Sequence, residues 1–151
     1  DVIYSPAGTV HAIGAGVTVV EVQQNVDLTY RLYDYGRPRE LHLDDGIAVS
    51  DPVPFTGRTE PHVVADGRQV FFDGPKFVLE RWSGGGAARV MPAAGRPVWI
   101  APLAGSVSNA VTSVGSGEVG HVDDASDLLL SDDADLLVTY PGRGVVRSLR
   151  G

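Results

Sequence analysis

The side chains best suited to chemistry lie near the beginning of the sequence: His11, Glu21, Asp27 and Arg31. His11 closes the run Pro6-Ala7-Gly8-Thr9-Val10-His11. Proline and glycine make a tight bend between strands, which places the histidine three residues after the glycine on the strand that follows. A neutral imidazole there is a good ligand for a divalent metal; a buried, hydrogen-bonded structural histidine is the alternative. Arg31 stays charged at any working pH and can pair with an oxyanion or a phosphate, or it is a surface cation on an edge strand. Glu21 stands among Val17, Val19, Val20 and Val22, an unusual setting for a purely structural acid, which favours a pocket-facing role. Asp27 is a second acid within the same stretch, or the cap of a turn after Asn25.

Strands must position these groups. Val2–Tyr4, Thr9–Ile13 and the β-branched Val17–Val22 read as strands, with Gly14 and Gly16 at a reversal that predicts a hairpin. Leu28 to Asp34 alternates, placing Arg31 beside Tyr33 on one face. Leu41–Val49 suits either one helical turn or an edge strand. Beyond a loop-like stretch, strands are expected at Val70–Phe72, Phe77–Trp82, Val98–Ala101, Val107–Val111 and Leu136–Tyr140, a density that suggests a sandwich or barrel. Ser83-Gly84-Gly85-Gly86 is a flexible turn without the lysine of a phosphate loop. A shift of the sequence onto itself lays the first hairpin over the region from His121 to Val138 as strand, turn, strand, a weak repeat of pattern rather than identity.

Composition narrows the class. The chain has 151 residues, no cysteine, 19 Gly and 10 Pro. A disulfide scaffold, a cysteine zinc site and a thiol nucleophile are excluded. Its 19 Asp and Glu outweigh 12 Lys and Arg, which argues against nucleic acid or an anionic membrane as the main partner. No run approaches the ~18 apolar residues of a membrane span, and the first residues lack the layout of a signal peptide; a cytoplasmic location is expected. The acidic pairs Asp123-Asp124 and Asp132-Asp133 lack calcium-loop spacing and read as solvated turns. His42, His62 and His121 show no ligand spacing and read as surface or turn residues.

The P-x-G-x-x-H run resembles the second motif of cupins, which are small jelly-roll barrels. The longer context, Pro6 to Ile13, Glu21 to Asn25, Asp27 to Arg37 and Arg39-Glu40-Leu41-His42-Leu43, resembles type I mannose-6-phosphate isomerases. The match is dense over about residues 4–50 and looser over 54–151. The resemblance implies an all-β architecture of cupin jelly-roll barrels: residues 1–53 as the end of the catalytic cupin and 54–151 as a C-terminal cupin-like domain. It implies zinc-dependent interconversion of mannose 6-phosphate and fructose 6-phosphate, with His11 as the last zinc ligand, Arg31 as the catalytic arginine, Asp27 as an acid aiding ring opening or proton transfer, and Glu21 as an acid of the pocket wall. Moving a proton between C1 and C2 through an enediol needs both an acid/base and a stabiliser of the developing oxyanion, so the residue types suit the reaction.

The family's Gln-x-His pair, its glutamate ligand and its lysine precede the motif and have no counterpart here; the sole lysine, Lys76, does not match. One histidine does not hold zinc tightly, since such sites use three or four protein ligands. The chain is therefore expected to be a C-terminal fragment, inactive alone, or to be completed by a second polypeptide. A degenerate, non-catalytic cupin module for sugar binding or oligomer contacts is the alternative. The expected partners are the sugar phosphate and either a homo-oligomer or a missing N-terminal half.

Overall fold

The computed structural model describes residues 1–151. The chain divides into two compact units: Asp1 with Ile3–Arg58, and Val2 with Thr59–Gly151.

The second unit holds all ten strands: β1 (His62–Ala65), β2 (Arg68–Asp73), β3 (Phe77–Ser83), β4 (Gly86–Val90), β5 (Val98–Ala104), β6 (Ser106–Ser108), β7 (Ser113–Gly115), β8 (Gly120–Val122), β9 (Ser126–Leu130) and β10 (Asp135–Pro141). Asp66-Gly67 makes the two-residue turn between β1 and β2, as such a pair does in tight hairpins. All pairings are antiparallel, and they nest: β6 with β7, β5 with β8, β4 with β9, β3 with β10. Cross-pairing of β10 with β5 and of β6 with β9 closes two sheets, β1-β2-β3-β10-β5-β8 and β4-β9-β6-β7. A long hairpin wrapped into two facing sheets in this way is a jelly roll.

Period-two burial fills the space between the sheets. Val78, Glu80 and Trp82 point inward from β3, and Leu136, Val138 and Tyr140 from β10. Val98 and Ile100 from β5 meet Ala88 and Val90 from β4 and Leu128 and Leu130 from β9. Two buried positions are charged, Arg68 on β2 and Glu80 on β3, and Glu80 is fully buried. It accepts from Arg68 at both oxygens (2.6 and 2.8 Å), from Trp82 Nε1 (2.7 Å) and from the Tyr140 hydroxyl. Arg68 then reaches the carbonyls of Val146 (2.7 Å) and Arg147 (2.8 Å), so the same ion pair holds the C-terminal strap. A 3-10 turn at Arg147–Leu149 buries Leu149, and Arg89 and Gly151 exchange main-chain bonds at 2.9 and 3.1 Å.

Strands form where expected at Val70–Phe72, Phe77–Trp82, Val98–Ala101 and Leu136–Tyr140. Of Val107–Val111 only Val107 and Ser108 lie in a strand, β6, because Asn109 caps a turn through bonds from Val111 and Thr112 (both 2.9 Å). The weak repeat does not reappear as equivalent hairpins, since β9 and β10 lie in different sheets.

The first unit departs from its expected strands. Its one regular element is helix α1 (Leu43–Val49), which resolves the ambiguity of that stretch. Val2–Tyr4, Thr9–Ile13, Val17–Val22 and Leu28–Asp34 form no ladder. The reversal at Ala15-Gly16 is present, with a positive φ at Gly16, but no main-chain bond joins its two arms. Val10, Val17, Val19 and Val20 are each more than half exposed. A β-branched run becomes a strand only when its backbone groups find partners, and here propensity alone does not supply them.

Removing the Glu80 charge leaves the Arg68 guanidinium buried without its counter-ion, so Glu80→Gln should cost about 3–5 kcal/mol. The exposed Arg81–Asp135 pair (2.6 Å) gives the contrast: Arg81→Ala should cost at most about 1 kcal/mol. Denaturant unfolding followed by fluorescence of the buried Trp82 measures both, and equal losses would refute the assignment.

Burial, with the Glu80 bond and charge, holds the Tyr140 hydroxyl well above its usual value. The folded state therefore binds that proton more tightly than the unfolded chain. Its contribution is complete below the ordinary tyrosine pKa of about 10 and disappears as pH rises further. Stability should fall above pH ~10 in the native protein and fall less in Tyr140→Phe, as read from unfolding midpoints across that range.

Candidate functional site

The turn that precedes His11 forms as its residues dictate. Thr9 N–H donates to the Pro6 carbonyl (3.1 Å), and Gly8 takes the positive φ of +89° that the bend requires. A side chain at Gly8 would also sit 3.0 Å from the Val49 carbonyl. Asp51 N–H donates to the Gly8 carbonyl (2.9 Å), which ties the turn to the segment after α1. His11 Nδ1 lies 2.9 Å from the Thr9 carbonyl and 3.2 Å from Ser5 Oγ. A carbonyl only accepts, so Nδ1 carries the proton. In the neutral ring Nε2 then keeps its lone pair, the form a metal ligand needs. His11 therefore fits one coordination position. No group of three or more His, Cys, Asp and Glu side chains gathers anywhere in the chain to complete a set.

Arg31 is half-buried and braced. Its N–H donates to His42 Nδ1 (3.1 Å), His42 N–H returns a bond to the Arg31 carbonyl (2.8 Å), and Arg31 Nη1 reaches the Glu40 carbonyl (3.2 Å). The His42 ring also meets Tyr30 edge-on at 6.0 Å. The reading of His42 as an ordinary surface or turn residue is thus corrected: its ring accepts the bond that fixes residue 31. Helix α1 packs on the same segment. Gly46 is its one buried residue, and a Cβ there would stand 2.5 Å from Leu32 Cδ2.

Asp34 is a further group that alternation alone places on the face opposite Arg31. Its carboxylate is only 4% exposed. It receives Arg39 Nε at 2.6 Å and a second Arg39 nitrogen, and Arg37 Nη2 lies at 2.8 Å. The Arg39 hydrogen bonds, against the opposing effect of burial and with help from the Arg37 charge, hold the Asp34 carboxyl below its ordinary value. An acid followed at three and five residues by arginines was the signal available in the sequence.

Glu21 and Asp27 are exposed and make no hydrogen bond or ion pair. No such contact joins His11, Glu21, Asp27 and Arg31 to one another.

No protein-family profile matches the chain. Curated proteins do. Mannose-6-phosphate isomerase ManA of Bacillus subtilis is 56% identical over 55 residues, covering 32% of this chain and 18% of that protein. Mannose-6-phosphate isomerase of Streptococcus mutans is 33% identical over 102 residues, covering 62% of this chain and 32% of that protein. The chain's curated relatives are mannose-6-phosphate isomerases. It spans between 18% and 32% of the length of these two isomerases. The crystal structure of the mannose 6-phosphate isomerase from Bacillus subtilis superposes with a TM-score of 0.60 at 22% identity, covering 77% of this chain and 41% of that one. At that identity the match establishes the fold, an all-β cupin. No helix is long and apolar enough to cross a membrane.

Alanine at position 46 improves helix propensity by up to about 1 kcal/mol, but overpacking against Leu32 costs about 1–3 kcal/mol. Gly46→Ala should therefore loosen α1 from the Tyr30–Leu32 segment and speed amide exchange at Arg31 and His42. Unchanged exchange would show that the close approach does not fix this segment.

Proposed function

We propose that the chain belongs to a zinc-dependent aldose–ketose isomerase that interconverts mannose 6-phosphate and fructose 6-phosphate in the cytoplasm. On this reading residues 1–53 are the end of the catalytic cupin and 54–151 a C-terminal cupin-like domain. The remaining zinc ligands come from polypeptide beyond these 151 residues, which makes the chain alone inactive. The observation that carries the proposal is His11, whose Nδ1–H is tied to Thr9 and whose Nε2 keeps its lone pair for a metal at the end of a Pro-x-Gly turn. The isomerase relatives support it.

Bound zinc would supply positive charge that stabilises oxyanions on the sugar. The chain's own groups divide the remaining work. Arg31, held by His42 and Glu40, presents a permanent cation to the oxygen that gains charge as the enediol forms. Asp27 and Glu21 are carboxylates without partners, able to take and return protons during ring opening and transfer between C1 and C2.

A non-catalytic cupin module, for sugar binding or oligomer contacts, is the second reading. For the second unit a non-catalytic role in oligomer contacts is favoured over sugar binding, because the Arg68–Glu80 pair, Trp82 and Tyr140 fill the interior between the sheets.

In the complete enzyme, Arg31→Ala should lower kcat by roughly 100-fold with the fold and zinc content unchanged, as for loss of a transition-state charge partner. Steady-state kinetics with metal analysis checks this. Undiminished turnover would remove Arg31 from the mechanism.

A further inference from the structure

Two guanidiniums, those of Arg37 and Arg39, hold one buried carboxylate, Asp34, in the first unit. Arg39 grips Asp34 through two nitrogens, and Arg37 joins through Nη2 to the carboxylate and Nε to the Asp34 carbonyl (3.3 Å). Two cations against one anion leave the group with excess positive charge.

The geometry adds to the charge. Arg37 and Arg39 are 60% and 49% exposed, whereas Asp34 is 4% exposed. The carboxylate thus lies beneath and the guanidiniums reach solvent. Nη1 of each of these two arginines makes no bond, so planar donors remain available after Asp34 has fixed the forks. Pro38 between them further restricts the loop. Guanidiniums already fixed in place lose little freedom on binding a planar or tetrahedral oxyanion.

We propose that Arg37 and Arg39, fixed in place by Asp34, form the seat for a phosphate group, the phosphate of the sugar substrate. The identity of the sugar rests on the isomerase reading; the affinity for phosphate does not. Asp34 is a positioning residue: it lowers the local positive charge yet holds the donors in place. A phosphate monoester carries a charge near −1.5 to −2 at neutral pH, which suits the excess of cations.

The test uses the whole chain, with inorganic phosphate, mannose 6-phosphate and unphosphorylated mannose as probes at low ionic strength. Arginine Nε–Hε resonances and calorimetry report binding. Both phosphate probes should shift the Arg37 and Arg39 signals, and mannose should not. Arg37→Gln and Arg39→Gln, at exposed positions, should each weaken inorganic phosphate by about tenfold. Asp34→Asn gives the decisive contrast. It makes the cluster more positive, so an attraction by charge alone would tighten phosphate binding; a positioned seat loses affinity. Binding that is unchanged in both arginine variants, or tighter in Asp34→Asn, overturns the proposal, as does failure of the native chain to bind phosphate. Absence of isomerase turnover in the complete protein, with phosphate still bound here, refutes the isomerase reading and leaves the seat standing.

Discussion

A single carboxylate in the jelly-roll interior organises the second unit. Glu80 takes bonds from Arg68, Trp82 and Tyr140, which belong to β2, β3 and β10, and Arg68 extends the same set to the strap at Val146 and Arg147. Each donor would be costly to bury alone, and so would the carboxylate. Together they leave no buried side-chain polar atom without a partner. The network specifies one arrangement of sheet and tail, because any slip of β10 against β3 would separate Tyr140 from Glu80. Replacement by well-fitting apolar residues could match its stability, so its value here is in what it aligns.

The two units solve opposite problems. The second satisfies its strands internally, with each inward face covered. The first carries strand-forming sequence, Thr9–Ile13 and Val17–Val22, whose valines remain exposed and whose backbone makes no ladder. Its order comes from short connections instead: the Pro6–Thr9 turn, the Arg31–His42 exchange, the Asp34 cluster and the close approach of α1 at Gly46. Each lies next to a residue suited to chemistry.

Much of the β architecture was legible because period-two burial writes itself into β3, β5 and β10. Short strands such as β1, β7 and β8 were not, since three or four residues carry too little pattern to separate from a loop. In the first unit the β-branched runs were read correctly as strand-forming sequence, yet pairing is a property of partners as well as of the run. The bend at Gly8 was legible because glycine and proline act locally. The roles of His42 and Asp34 were not: His42 binds a residue eleven positions away, and Asp34 is buried by arginines that themselves look like surface residues. Glu80 was hidden for a related reason. An acid in a strand reads as solvent-facing until its partner, twelve residues earlier on another strand, is known.

The nested pairing also sets an order of assembly. The innermost pair, β6 with β7, closes a short loop, whereas the outermost, β3 with β10, joins residues such as Arg81 and Asp135 that lie 54 positions apart. Loop closure costs more entropy as the separation grows, and such non-local contacts slow folding. Each inner rung shortens the effective loop for the next, which favours pairing from the centre outward. The final rung requires the last strand synthesised. On the ribosome, the central rungs have their chain available early, while β3 must wait with an open edge until β10 emerges.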